Sequence, residues 1–248
     1  MKKITVLAAI IMAAICLAAC IAESTIDPKT IAVGDIVTFG HFSQDKGPDN
    51  SIKPIEWIVL DVQDGKALLL SKYGLFATGY HSTWDECTWE TCSLRTWLND
   101  RFLNLAFSAE EQSAILTTTV DNSDSQGYDW TTVGGEKAAG GNDTQDRIFL
   151  LSYAEANRYL NVTVEDVNNT GSRVAPTALA ISAGADVSND CLTADGEAAG
   201  GWWLRTPGGS PKCVEVVSRE GSLSYLRTYH KQCIVRPAVW IDLNSDLF

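Results

Sequence analysis

Strand patterns occupy both ends of the globular part of this chain and helix patterns its middle. That order suggests a mixed α+β domain whose terminal strands meet, with antiparallel sheets, two to four short helices and long loops. A strand at 34–40 lies between Gly34 and Gly40, and a polar loop follows at 41–53. Residues 55–61 and 66–71 are rich in β-formers, and Asp64-Gly65 between them is a hairpin signal. In 93–106 the apolar residues Leu94, Trp97, Leu98, Phe102 and Leu105 fall on one helical face. Ser108 with Glu111, and Ser152 with Glu155, have the spacing of capping boxes that open two further helices. Residues 117–120 are β-like, and 121–145 form a long polar loop with five glycines. A buried strand is expected at 147–151 and one more short helix at 176–183. Strands are expected at 202–205, 212–218, 223–228 and 233–243, with Glu220-Gly221 turning the middle pair.

Residues 1–19 stand outside this domain. Lys2 and Lys3 precede an apolar run from 4 to 19 whose polarity is broken only by Thr5. The run is shorter than the roughly 20 apolar residues of a comfortable spanning helix. Charge, apolar core and small residues are the layout of a secretory signal. Leu17-Ala18-Ala19-Cys20 resembles the lipobox of bacterial lipoproteins. That resemblance implies cleavage before Cys20, a lipid with fatty acyl chains such as palmitate on its sulfur, and a chain held on the outer face of the cytoplasmic membrane, at the cell surface. The expected organisation is a signal peptide over 1–19, a lipidated tether over 20–32 and one domain over 33–248.

Charge narrows the partners. The chain has 19 basic residues against 31 acids. Removing the signal takes away two lysines and no acid. A surface so acidic repels phosphate backbones, so no nucleic-acid partner is expected. The lipid, and not charge, supplies the membrane contact.

Several segments together resemble a known family. They are 33–40 (Val-Gly-Asp-Ile-Val-Thr-Phe-Gly), 55–57 (Ile-Glu-Trp), 68–73 (Leu-Leu-Leu-Ser-Lys-Tyr) and 93–99 (Ser-Leu-Arg-Thr-Trp-Leu-Asn). Near the end come 202–208 (Trp-Trp-Leu-Arg-Thr-Pro-Gly) and 235–241 (Val-Arg-Pro-Ala-Val-Trp-Ile). The ordered set, spanning about 33 to 243, is similar to a domain of unknown function found in secreted and lipidated proteins of anaerobic gut bacteria. The C-terminal pattern also resembles the C-type-lectin-like fold, which includes formylglycine-generating enzymes. The resemblance implies a compact α+β domain with its ends side by side and a ligand surface on irregular loops. Fold does not fix function. Cys213 and Cys233 do not match the local context of the formylglycine-generating enzymes' cysteine pair, so that activity is not carried over. The Glu-Pro-Asn and Gln-Pro-Asp tripeptides of calcium-dependent sugar-binding lectins are absent.

Tyr225, Arg227 and Tyr229 alternate, so they share one face of a strand, and His230 follows. Aromatics with arginine make good recognition surfaces, because large rigid groups lose little entropy on binding. Trp130, with Trp84 and Trp89, lies in a polar segment and is a candidate to join them. These residues are the candidate ligand site; the bland reading is a solvated loop with scattered aromatics. Trp203, Arg205, Arg236 and Trp240 lie in core-type strand sequence, where an arginine more often closes a partly buried ion pair than meets a ligand. With Trp97 they are assigned to the structural core.

After cleavage Cys20, Cys87, Cys92, Cys191, Cys213 and Cys233 remain. With Cys20 lipidated, five are left. Two disulfides and a free thiol fit, as does no disulfide at all. Cys87 and Cys92 are close enough for a small loop, and Cys213 and Cys233 flank a strand pair. These four are the expected disulfide cysteines, with Cys191 as the odd thiol.

No cofactor and no metal site is expected. Calcium is the one ion that Asp121, Asp124, Asn142, Asp143 and Asp146 would admit, although Asx-rich turns of this kind are usually only turns. The chain has no Gly-x-Ser-x-Gly, His-Glu-x-x-His, phosphate loop or Cys-x-x-Cys, and His41, His81 and His230 lack metal spacing. The expected function is a non-catalytic surface module binding a glycan or a protein ligand. An envelope hydrolase or cysteine-dependent oxidase, and a structural subunit of an envelope complex, are the alternatives.

Overall fold

The structure is a computed structural model that describes residues 26–45 and 51–248. The signal, Cys20 and the first part of the tether lie outside the described residues. The described chain is α+β, mostly sheet, with a few short helices.

The first sheet contains β1 (Ile36–Ser43), β2 (Ile52–Gln63), β3 (Lys66–Ser71) and β13 (Ala238–Asp242), in the order β1-β2-β3-β13, all antiparallel. Asp64 and Gly65 turn β2 into β3 with φ of 50° and 72°, the left-handed pair that a two-residue hairpin needs. A bulge breaks the β1–β2 register between Thr38 and His41. At Gly40 within it, a Cβ would stand 2.5 Å from the Phe107 ring and 2.8 Å from the Ala106 carbonyl. Glycine there lets a helix corner press on the strand.

That corner is built by α1 (Ser93–Trp97), a π-helical turn (Leu98–Phe102), α2 (Leu103–Ala106) and α3 (Ala109–Ala114). The wide turn adds a residue to the helical register. As a result Leu103 and Ala106 are buried, whereas Leu105, expected on the apolar face, is 63% exposed. Trp97 is half-buried and stacks on Phe102, with ring centroids 5.6 Å apart.

The second sheet is mixed, in the order β11-β10-β9-β12-β4. Its strands are β4 (Phe76–Ala77), β9 (Trp202–Pro207), β10 (Cys213–Val217), β11 (Leu223–Arg227) and β12 (Ile234–Val235). Only β9 and β12 run parallel. The single strand expected over 233–243 is two: β12 belongs to this sheet and β13 to the first, with Arg236-Pro237 between them. Pro237 has no N–H for a ladder, so the chain leaves one sheet there and enters the other. Two small two-stranded antiparallel sheets, β5 (Thr118–Val120) with β6 (Thr144–Asp146) and β7 (Val187–Leu192) with β8 (Ala198–Gly200), accompany them. Helices α4 (Tyr153–Leu160) and α5 (Ala178–Ser182) complete the fold.

The strand expected at 147–151 is a buried connector. Its backbone groups go to several partners: Arg147 and Ile148 donate to Asn99 Oδ1, Phe149 donates to Ala238, and Leu151 accepts from Arg205.

The core holds Trp57, Trp89, Trp202 and Trp203 fully enclosed, each with its indole N–H partnered. The cysteines correct the expected disulfides: Cys87, Cys92, Cys191, Cys213 and Cys233 are all free. Cys92 instead caps α1, its sulfur accepting from Arg95 N and donating to Trp89 O, both at 3.4 Å. The enclosed Cys233 sulfur donates to Gly201 O at 3.3 Å.

Candidate functional site

The β10–β11 hairpin supplies the platform. Its register sets Arg227 opposite Cys213 and Tyr225 opposite Glu215. Tyr225 and Arg227 therefore point to one face, and both are exposed there. Just past the strand, the Tyr229 ring meets Trp84, with centroids 5.9 Å apart. Two cations cover Trp84: the Arg227 guanidinium at 5.5 Å and Lys212 Nζ at 5.3 Å from the ring centre. Arg227 also donates to the Tyr229 hydroxyl at 3.2 Å, which holds its pKa above the usual arginine value. Trp84 stays 56% exposed and Tyr229 36%. The segment carrying Trp84 is tied down by His81 N donating to Thr228 O at 2.9 Å.

Trp130, expected in the ligand site, is buried, only 8% exposed, and backs the strip from below. Its ring meets Tyr225 edge-on at 4.7 Å and Tyr128 at 5.0 Å. Beneath it, the enclosed Glu215 carboxylate anchors the 121–138 segment to the sheet. Glu215 Oε1 accepts from Tyr128 N and Trp130 Nε1, each at 2.8 Å, and Oε2 accepts from Thr206. Burial without a cationic partner pushes its pKa up to about 7, against the lowering effect of those donors. Beside Trp130 opens a cavity of about 340 Å³, lined among others by Tyr128, Asp129, Glu136, Lys137 and Gly208. That volume is in the range of small-ligand sites. Chemically, the strip offers flat aromatic faces and two fixed cations.

The other candidates are placed as follows. His230 is half-buried and closes the turn, its backbone N–H donating to Arg227 O at 3.0 Å. Trp89 is enclosed, donating to Asp146 at 2.8 Å, and takes no part in the strip. Arg205 is enclosed; its guanidinium pairs with Glu155 through both terminal nitrogens and donates to the Leu150 and Asp121 carbonyls. Trp240 is half-buried under Lys66, whose Nζ lies 5.0 Å from the ring centre. Arg236 is enclosed over Trp202.

The acidic loop residues are engaged within the protein. Asp121 accepts from Ser123 and Gln126, and Asp124 pairs with Lys137 at 3.0 Å. Asn142 donates to Glu90, and Asp143 accepts from Asn122 N. Asp146 is enclosed between Arg95, Trp89 and Thr144. Among the described residues no three His, Cys, Asp or Glu side chains are grouped as a metal site. Burial pushes the Cys87 thiol up to about 11, Cys92 up to about 12 and Cys233 well up, so these sulfurs are not thiolates at neutral pH.

Sequence reasoning passed over Lys212, Tyr128 and Glu215. A lone acid among valines in Cys213–Val217 is a visible signal for a buried, partnered carboxylate. No comparable signal marks Tyr128, whose position depends on a loop fold.

Residues 64–243 match the domain of unknown function DUF6273, and the chain belongs to that family. No curated protein and no solved structure matches it.

Proposed function

We propose that this chain is a cell-surface lipoprotein whose domain, C-type-lectin-like in fold, is a non-catalytic module that binds a glycan. The observation that carries this reading is the exposed cluster of Trp84, Tyr229, Arg227 and Tyr225, backed by the buried Trp130, which packs edge-on against Tyr225 beside the cavity. Sugar rings present C–H faces that stack on aromatic planes, and the cations beside Trp84 suit the oxygens at their edges. A platform fixed by backbone pairing and by Glu215 loses little entropy when it binds. The lectin-like reading is supported by β1 and β13 lying in one sheet, as its two edge strands, and by a site carried largely on irregular segments. The surface location rests on the sequence around Cys20.

The test is a glycan array probed with the full chain, with and without calcium. Saturable binding that Trp84→Ala and Tyr225→Ala each weaken at least tenfold is expected, as is release of the Cys20→Ser chain into the medium. Failure to bind any glycan would sink the glycan reading and move the search to protein ligands. Retention of the Cys20→Ser chain on the membrane would sink the lipid anchor.

A further inference from the structure

A second cavity, of about 290 Å³, lies between the start of β1, the residues after β3 and the β7–β8 turn. Lys72, Tyr73, Arg173, Asp195, Glu197 and Arg236 help to line it. Arg236 is 1% exposed. Its Nε donates to Ser71 O at 2.8 Å and its guanidinium carbon lies 5.0 Å from the centre of the Trp202 ring. Its Nη1 is enclosed and has no hydrogen-bond partner among the described residues. An enclosed guanidinium with an idle donor is costly unless something meets it. Burial pulls its pKa down to about 9, so it is still a cation at neutral pH.

Arg173 stands in the same cavity, held by carbonyls: Nε donates to Glu220 O at 3.1 Å and Nη1 to Leu192 O at 2.8 Å. Among the described residues neither arginine has an ion pair, in a chain whose 31 acids outnumber its 19 basic residues. Lys72 is already engaged, with Glu56 at 3.6 Å. Asp195 and Glu197 are exposed at the rim and set negative charge across the entrance.

The geometry points to a binding site for a small organic monocarboxylate, its carboxylate on Arg236 and Arg173 and its body toward Tyr73 and the rim. A guanidinium matches the two coplanar oxygens of a carboxylate. The rim acids disfavour a second negative charge on the ligand, which selects against dicarboxylates and phosphate. The volume holds roughly ten water-sized groups, enough for a short hydroxy acid or a sugar acid. This site is separate from the aromatic strip and does not depend on the glycan reading.

The experiment is isothermal titration calorimetry of the full chain with acetate, lactate and glucuronate at fixed ionic strength, with succinate, phosphate and chloride for comparison. At least one monocarboxylate is expected to bind saturably, and more tightly than succinate or phosphate. Arg173→Gln, at a half-buried position, should weaken that binding tenfold or more. Arg236→Lys, which keeps the charge and removes the fork, should abolish it, with folding checked by circular dichroism. Should Arg236→Lys not fold, Arg173→Gln alone decides. No heat from any monocarboxylate, phosphate or succinate binding as well as the best of them, or wild-type affinity in Arg173→Gln would each overturn the site.

Discussion

Trp130 donates its indole N–H to the Glu215 carboxylate at 2.8 Å, at a point where the carboxylate meets three donors and no cation. The candidate site's loop is thus fastened to the sheet through one ionisable group.

The pKa of Glu215 is raised from 4.5 to about 7, so between those values the folded protein holds a proton that the unfolded chain releases. Stability is then fully present below about 4.5 and is lost as pH rises through about 7, by roughly 3 kcal/mol in all. In Glu215→Gln the amide oxygen accepts from Tyr128 and Trp130, and the amide nitrogen donates to Thr206. Thermal unfolding should show the variant more stable than wild type at pH 8 and nearly equal at pH 5. Parallel curves at the two pH values would rule out this titration.

Arg205 is enclosed, and its one acid partner among the described residues is Glu155, the residue that also closes the capping box of α4. Glu155→Ala should cost about 3 kcal/mol, because it leaves a buried cation with carbonyls alone and opens the helix start. Glu155→Gln keeps the box and should cost visibly less. A loss under about 1 kcal/mol for the alanine variant, read from denaturant unfolding, would show that the pair does not hold the fold.

The free cysteines make a chemical prediction. In the native protein Cys92 and Cys233 should resist iodoacetamide, while the half-exposed Cys87, Cys191 and Cys213 react sooner; in denaturant all five should react. Peptide mapping by mass spectrometry checks this. A pair of cysteines that reacts only after reduction would restore a disulfide.

Much of the fold was legible because its signals are local. Asp64-Gly65 announces the β2–β3 turn, and Ser108 and Ser152 announce their helices through hydroxyls that accept from the backbone three residues on, while Glu111 and Glu155 reach back to the serines. What was hidden depends on distant partners. The π-helical turn moves burial from Leu105 to Ala106 without a mark in the apolar pattern. Residues 147–151 are apolar enough for a strand, but Asn99 takes two of their donors. β7 mixes polar and apolar residues on both faces and offers no alternation to read. In the site, the period of two on β11 placed Tyr225 and Arg227 together. The contact of Trp130 with Tyr225 needed a loop anchored by a carboxylate, and spacing alone did not separate Trp84, which joins the strip, from Trp89, which is enclosed.

The pairing of β3 with β13 joins residues 66–71 to residues 238–242. A ribosome delivering this chain therefore releases an unfinished first sheet, with the outer side of β3 uncovered until the residues near 240 arrive. Under the proposed export route that delay would be protective: the translocation machinery would meet a strand still waiting for its neighbour, and the fold would close on the far side.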